Sequence, residues 1–445
     1  MRSPRGAIRR ARAALALVAA LAAATLTGCA AQPASGGPRF LTPPLIRYTS
    51  VLWPVPLQLV GAEPGARLRL VARLSTARAT WSSQATYTVP PDGTLDLAAA
   101  RPQLARYTEP DSVGLFWSLR GPALAERPLI HQWMQQTSNV TITALDGGRA
   151  VAERTFALEG LGASARPRTV FTRDLAAAEA TAAGSPTARS LPHETHEDVP
   201  VGRFFSARSI ERPLTPAVVV FDDPSPGASG DFVAPLITQF GASVFVIPVA
   251  NSGDGVHVAG VIDSGTVTAV LDWLGQRGDV DRGSVFAYGT GPSEQLALWL
   301  ATRFPGRVAG VFGAGGTTGL LCLAGHGVAP ADEGGIALPC QSDARSANPA
   351  SVLPVRVVRG PVVLGCSEHD DVLPAACPWL DAAAAVRGTR AGDVYLREPE
   401  AAHAVTVPPG LPVAVPDGPS AQPTEKARIA FWNAVGTILI QAART

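Results

Sequence analysis

The chain of 445 residues is longer than one typical hydrophobic core, so its length favours two domains. Hydrophobic residues make up 46% and charged residues 16%, which excludes an intrinsically disordered chain. Lys and Arg number 37 against 36 Asp and Glu, for a net charge of +1. Because the sequence has no basic stripe of the kind that binds nucleic acid, we expect no nucleic-acid partner.

The first 28 residues have the organisation of a lipoprotein signal peptide. Arginines between residues 2 and 12 precede an uncharged apolar stretch over residues 13–26, which is short for a membrane span of about 20 residues. This stretch leads into Leu26-Thr-Gly-Cys29, which resembles a lipobox. Cleavage before Cys29 and lipidation of its thiol would anchor the chain to the outer face of the cell membrane. The alternative is an ordinary cleaved signal peptide with an incidental Cys29.

Export affects the interpretation of the other four cysteines, Cys322, Cys340, Cys366 and Cys377. An even set in an oxidising compartment predicts disulfides, and four cysteines allow three pairings. Short loops favour Cys322–Cys340 and Cys366–Cys377. Buried free thiols remain the alternative.

The segment 29–44 is rich in Pro, Gly, Ser and Ala and is predicted to be a flexible tether. Within a predicted domain of residues 45–160, residues 55–158 show a period of two, for example at Leu68, Leu70, Ala72 and Leu74. A second alternating run from Val140 continues past Gly147-Gly148 to residue 158, which indicates a hairpin. Several short strands with regular turns predict a β-sandwich.

Residues 161–200 lack a sustained period and are predicted to be a linker with an irregular lead-in. Two histidines in this segment, His193 and His196, are not spaced as in the helical two-histidine zinc motif. We interpret them as part of a polar loop and expect neither metal nor cofactor.

From residue 201 to residue 445, apolar runs alternate with helical periods. Strands are predicted at 218–221, 243–247, 284–288, 308–312, 361–364 and 394–396, and helices over 267–274 and 425–443. Alternating β and α elements predict a doubly wound α/β domain with a mostly parallel sheet.

One segment of each half resembles a known family. Residues 107–119 read Tyr-Thr-Glu-Pro-Asp-Ser-Val-Gly-Leu-Phe-Trp-Ser-Leu, and residues 353–364 read Leu-Pro-Val-Arg-Val-Val-Arg-Gly-Pro-Val-Val-Leu. They are similar to segments of the acyl-CoA thioesterase and bile-acid-CoA:amino-acid N-acyltransferase family. Trp81-Ser82 and Asp92-Gly93 also match. The resemblance implies an immunoglobulin-like β-sandwich before an α/β-hydrolase domain that carries a nucleophile, an Asp and a His.

The resemblance places two of those residues in loops. The stretch Glu368-His-Asp370-Asp371-Val-Leu-Pro374 resembles the loop of the catalytic acid, which lies four residues before a Pro. This spacing selects Asp370, with Asp371 as second choice. His403, followed by Pro408-Pro409, is at the position of the base. In such a triad the Asp orients the imidazole.

The nucleophile position departs from the family pattern. An α/β-hydrolase elbow reads G-x-S-x-G, and this chain has Gly289-Thr-Gly291-Pro292-Ser293 instead. Gly291 has no side chain, and Pro292 has no N–H for the oxyanion hole. Ser293 is the alternative nucleophile, displaced into the start of a helix.

Two hypotheses follow. The first is a non-catalytic relative at the cell surface that binds an acyl-type small molecule or an envelope protein. The second is an exported ester or thioester hydrolase that uses His403 and Asp370 with Ser293. Acyl-CoA is an intracellular metabolite, so the substrate of the family does not follow from its fold.

Overall fold

The structure is a computed structural model that describes residues 36–43, 45–47, 57–77, 79–159, 167–182, 198–207, 213–222, 225–249, 261–321, 329–331 and 338–445. The predicted signal peptide, Cys29, the histidines at 193 and 196, and Cys322 lie outside these residues. Within the described ranges, no helix is both long and apolar enough to cross a membrane.

The N-terminal part consists mainly of strands in two sheets. Its elements are β1 (Arg39–Phe40), β2 (Leu45–Arg47), β3 (Gln58–Val60), β4 (Arg67–Ser75), β5 (Thr80–Thr88), β6 (Leu95–Asp96), α1 (Gly114–Trp117), α2 (Glu126–Ile130) with a π-helical turn (His131–Gln135), β7 (Ser138–Asp146) and β8 (Arg149–Glu159). One sheet has the order β1-β3-β6, and the other has the order β2-β8-β7-β4-β5.

Alternation along the strands determines which side chains form the N-terminal core. In β4 every second residue from Leu68 to Leu74 is buried, as the period of two predicts. Leu59 of β3 and Leu95 of β6 lie in the same hydrophobic cluster, so both sheets bury their apolar faces together. The predicted hairpin is β7–β8, and its turn residues Gly147 and Gly148 have φ angles of 54° and 91°.

The C-terminal part alternates strands and helices. Its elements are β9 (Arg168–Phe171), α3 (Thr172–Ala182), β10 (Pro200–Phe205), β11 (Thr215–Phe221), α4 (Gly230–Gln239), β12 (Ser243–Ile247), β13 (Val261–Asp263), α5 (Ser264–Gln276), β14 (Val280–Thr290), α6 (Glu294–Arg303), β15 (Gly310–Ala314), β16 (Ala329–Ala331), β17 (Val362–Ser367), α7 (Ala376–Arg387), β18 (Val394–Glu398) and α8 (Ala421–Ala442).

The main sheet of this part has eight strands in the order β9-β10-β12-β11-β14-β15-β17-β18. From β12 to β18 neighbouring strands are parallel, whereas β10 is antiparallel to both of its neighbours. Adjacent residues of β11 face opposite layers: Val218 and Val220 pack with α4 and α8, while Ala217 and Val219 pack with α5 and α6. The chain therefore contains a doubly wound α/β domain, as predicted.

The predicted linker and irregular lead-in, 161–200, contain regular structure in the residues that the structure describes there, so this prediction is wrong for those residues. β9 and α3 lie in this segment, and β9 pairs with β10 at the edge of the main sheet. An edge strand is only partly covered, so β9 lacks the continuous apolar run of the central strands. The α/β domain consequently begins before residue 201.

Candidate functional site

The predicted elbow is a sharp turn between β14 and α6. Gly291–Ser293 form one turn of 3₁₀ helix, and Gly291 has a φ of 52°, in the region that favours glycine. A Cβ at Gly289 would clash with the carbonyl oxygen of Ser293. Both glycines therefore serve the shape of the turn, and Gly291 places no reactive atom at its tip.

The two residues after Gly291 have structural roles. Pro292 is the second residue of the 3₁₀ turn, where its fixed φ fits and its missing N–H costs no helical bond. The Ser293 hydroxyl donates a hydrogen bond of 2.7 Å to the carbonyl of Asp222, the residue after β11. Ser293 is only 1% exposed. Its oxygen is thus engaged within the fold.

The structure brings His403 and Asp370 together. Asp370 Oδ2 lies 2.8 Å from Nδ1 of His403, and its Oδ1 accepts the backbone N–H groups of Val372 and Leu373. Asp370 is buried, whereas Asp371, the second choice for the acid, is exposed. An ionised Asp370 selects the tautomer with the proton on Nδ1, as in a hydrolase triad.

A glycine loop after β15 connects the histidine with the elbow. A Cβ on Gly315 would lie 3.4 Å from Cε1 of His403, and a Cβ on Gly316 would clash with the carbonyl oxygen of Gly291. Asp370 follows β17, so these groups meet at the carboxyl ends of parallel strands, where doubly wound sheets bind ligands.

Glu294 is a buried carboxyl beside the elbow, and no sequence motif marks it. Its Oε2 accepts the N–H of Gly316 at 2.6 Å, and the residue is 2% exposed. Burial raises the pKa of Glu294 from 4.5 to about 8, and the Gly316 hydrogen bond lowers it only in part. The carboxyl is therefore mostly protonated at pH 7, and it fastens the glycine loop to α6.

Glu294→Gln is expected to flatten the fall of stability with rising pH. Between pH 4.5 and about 8 the unfolded carboxyl ionises while the folded one keeps its proton, so stability falls as the pH rises. This contribution approaches about 1 kcal/mol per pH unit, and glutamine, which resembles the protonated acid, removes it. Urea denaturation from pH 5 to 8 measures the slope. Glu63→Gln, at an exposed site, is the control, and an unchanged slope for Glu294→Gln would contradict the assignment.

Two buried side chains of α8, Arg428 and Glu425, hold the histidine loop. Arg428 donates from Nε to the carbonyl of Ala404 at 2.8 Å and from Nη2 to that of Ala414 at 2.7 Å. Its partner Glu425, with carboxylate and guanidinium atoms 3.7 Å apart, accepts the N–H of Gly410 at 2.5 Å. Burial raises the pKa of Glu425 to about 8 although Arg428 lowers it. The segment that positions His403 is therefore fixed through its backbone.

The loop of the acid is closed by a disulfide. Cys366, in β17, is bonded to Cys377, in α7, with their Cα atoms 5.1 Å apart, so this predicted pair is confirmed. Asp370 lies in the loop that the bond spans. Cys340 is also disulfide-bonded, while Cys322, its predicted partner, lies outside the described residues.

The N-terminal segment 107–119 contacts the start of α8. Gln422 Oε1 accepts the N–H groups of Thr108 and Glu109, both at 3.0 Å. Asp417, just before α8, forms ion pairs with Arg106 and Arg120. The two parts of the chain therefore meet on the helix that also holds the histidine loop.

Comparison with known families identifies the N-terminal part. The family described as acyl-CoA thioester hydrolase/BAAT N-terminal region matches residues 53–158. The resemblance that segment 107–119 indicates is thereby confirmed, and the matched residues precede the doubly wound α/β domain. No curated protein sequence matches the chain.

Solved structures similar to this chain include several hydrolases. A dienelactone hydrolase from Anabaena variabilis is 16% identical, with 60% of this chain and 95% of that chain covered and a TM-score of 0.35. A puromycin-hydrolyzing peptidase from Mycobacterium tuberculosis is 13% identical over 86% and 66%, with a TM-score of 0.39. Carboxyl esterase 2 from Tuber melanosporum is 15% identical over 63% and 89%, with a TM-score of 0.38.

The arrangement has no metal-binding character in the part of the chain that the structure describes. No group of three or more His, Cys, Asp or Glu side chains there is placed to hold an ion. What the site offers is an imidazole oriented by a buried carboxylate, next to a turn whose tip carries no side chain.

Proposed function

We propose that this chain is a cell-envelope lipoprotein whose α/β-hydrolase domain is non-catalytic and binds an acyl-type ligand or an envelope protein beside His403. The observation that carries the proposal is the elbow, where Gly291 and Pro292 occupy two adjacent positions that a serine hydrolase needs for different tasks. Gly291 supplies no attacking oxygen. Pro292 supplies no oxyanion N–H, a loss that costs about 2.7–4 kcal/mol in the transition state.

The remaining His403–Asp370 pair does not by itself restore catalysis. A general base activates water, but the tetrahedral oxyanion would lack a main stabilising donor. The pair can still bind a ligand. Its imidazole is held 2.8 Å from a buried carboxylate and is therefore a polar group of fixed orientation. This supports a binding role for the site beside His403.

The second candidate is an active exported ester or thioester hydrolase with Ser293 as nucleophile. The hydrogen bond from the Ser293 hydroxyl to the carbonyl of Asp222 argues against it, because this proton is donated to a backbone oxygen. The near-complete burial of Ser293 argues in the same direction. A nucleophile needs its oxygen within reach of both the base and the substrate.

A serine-reactive activity probe tests the proposal. The purified wild-type protein should remain unlabelled, whereas the variant Gly291→Ser/Pro292→Gly should be labelled and serves as the positive control. Labelling of the wild-type protein that Ser293→Ala abolishes would establish the second candidate instead.

Two further parts of the proposal concern the N-terminal half. The signal-peptide pattern and Cys29 support export and lipid anchoring to the outer face of the membrane. The two sheets with a common apolar core support an immunoglobulin-like sandwich. Intact-mass analysis of the membrane fraction should find Cys29 as a lipidated N-terminus, and a mature chain that begins elsewhere would refute the anchoring.

A further inference from the structure

We propose that the outer face of the five-stranded sheet docks on the anionic phospholipid headgroups of the membrane that carries the anchor. The inference rests on the lipid anchoring proposed above. The outer face is defined here by Arg67, Arg69 and Arg73 of β4 and by the residues paired with them on β5 and β7.

The three arginines form a row on one side of the sheet. Leu68, Leu70 and the residues that alternate with them are buried, so the arginines between them are exposed on the opposite side. Successive same-side residues are about 7 Å apart along a strand, so the row from Arg67 to Arg73 extends about 20 Å. Its guanidinium groups can reach several headgroups at once.

Uncharged residues flank this row. On β5, Thr88, Thr86 and Ser82 are paired with Arg67, Arg69 and Arg73. On β7, Leu145 and Thr141 are paired with Arg69 and Arg73. Residues that are paired across two antiparallel strands lie on the same side of the sheet. The residues paired with the arginines therefore bring no negative charge to offset the positive charge of the row.

The nearest strand with a carboxylate on this side is β8, one strand further away. There Glu153 accepts a hydrogen bond of 2.8 Å from the hydroxyl of Thr143. The residues 57–159 as a whole are almost balanced, with ten Arg and nine Asp or Glu. The positive charge is therefore concentrated on the outer face and is not a property of the whole domain.

The length of the tether fits this orientation. Nine residues lie between Cys29 and Arg39, the start of β1, and ten extended steps along the chain span at most about 35 Å. Two packed sheets are about 10 Å apart, so a lipid on Cys29 reaches the membrane with the outer face turned towards it. The anchor would raise the local concentration of headgroups, and the arginines would set the orientation.

The test uses the mature chain with Cys29→Ser, so that binding does not depend on the lipid. Its affinity for vesicles of phosphatidylglycerol and phosphatidylcholine is measured by flotation and compared with vesicles of phosphatidylcholine alone. The variant Arg67→Ser/Arg69→Ser/Arg73→Ser should bind the anionic vesicles about a hundredfold less tightly, from about fivefold for each basic residue near the surface. The matched control Arg282→Ser/Arg356→Ser/Arg359→Ser removes three exposed arginines from the α/β domain and should bind within about twofold of the parent.

Binding of the parent should weaken steeply between 50 mM and 500 mM salt, since exposed charges are screened. Equal binding to both kinds of vesicle, equal losses in the two triple variants, or absence of binding to anionic vesicles would each overturn the proposal. Binding of a soluble acidic polysaccharide without binding of the vesicles would assign the face to another class of partner and would likewise overturn it. Because the chain is unlipidated, these outcomes are separate from a failure of lipidation or of the serine-probe test.

Discussion

Replacing Gly291 by Ser and Pro292 by Gly together is expected to create hydrolysis of small activated esters that depends on His403. The serine would supply an attacking oxygen at the tip of the elbow, and the glycine would supply the missing backbone N–H. An oxyanion donor contributes about 100- to 1000-fold in kcat, so the double variant should exceed Gly291→Ser alone by about that factor. Release of p-nitrophenol from p-nitrophenyl acetate measures both variants.

Three controls limit the interpretation of that result. His403→Ala in the double variant should remove the new activity, because the base is then missing. Ser293→Ala in the double variant should leave it, because the Ser293 hydroxyl is bonded to Asp222 and not used. Equal activity of Gly291→Ser and the double variant would mean that the missing N–H of Pro292 does not limit catalysis.

The sequence predicts the central strands well because burial on both faces leaves a continuous apolar run. The predicted 243–247 coincides with β12, and 218–221 lies within β11. At the edge this signal disappears: β9 is half exposed, and no apolar run marks it. The strand predicted at 308–312 is instead β15, Gly310–Ala314, since glycines there carry no hydrophobic signal.

Some residues of the candidate site can likewise be predicted from the sequence and others cannot. Loop residues with a local motif, such as Asp370 and Gly291, can be located from their neighbours in the sequence. Glu294, Glu425 and Arg428 cannot, because charged residues in a helix pattern are ordinarily solvated and only the tertiary structure shows that they are buried. A charged residue at a helix position whose neighbours one turn away are apolar is the only signal that could have suggested them.

Arg428→Met is expected to lower the free energy of unfolding by about 3–5 kcal/mol, because two buried carbonyls would each lose a charged donor that contributes about 1.5–3 kcal/mol. The guanidinium donates to the carbonyls of Ala404 and Ala414, and both would lose their partner in the interior. Glu425 would lose the positive charge that lowers its pKa, so its carboxyl would remain protonated. Urea denaturation at pH 7 measures the change.

The matched control is Lys426→Met, which makes the same substitution on the same helix at an exposed position and should change stability by less than about 0.5 kcal/mol. The double variant Arg428→Met/Glu425→Gln separates the buried charge from the backbone contacts. Glutamine resembles the protonated acid and keeps an acceptor for Gly410, so the loss at pH 7 should stay nearly unchanged. That result would assign the loss to the carbonyls of Ala404 and Ala414, whereas a recovery would show that Glu425 is charged in Arg428→Met. Because Ala404 follows His403, the Nδ1 proton resonance of His403 should broaden in Arg428→Met and not in Lys426→Met. An unchanged resonance with full loss of stability would show that Arg428 stabilises the fold without positioning the histidine.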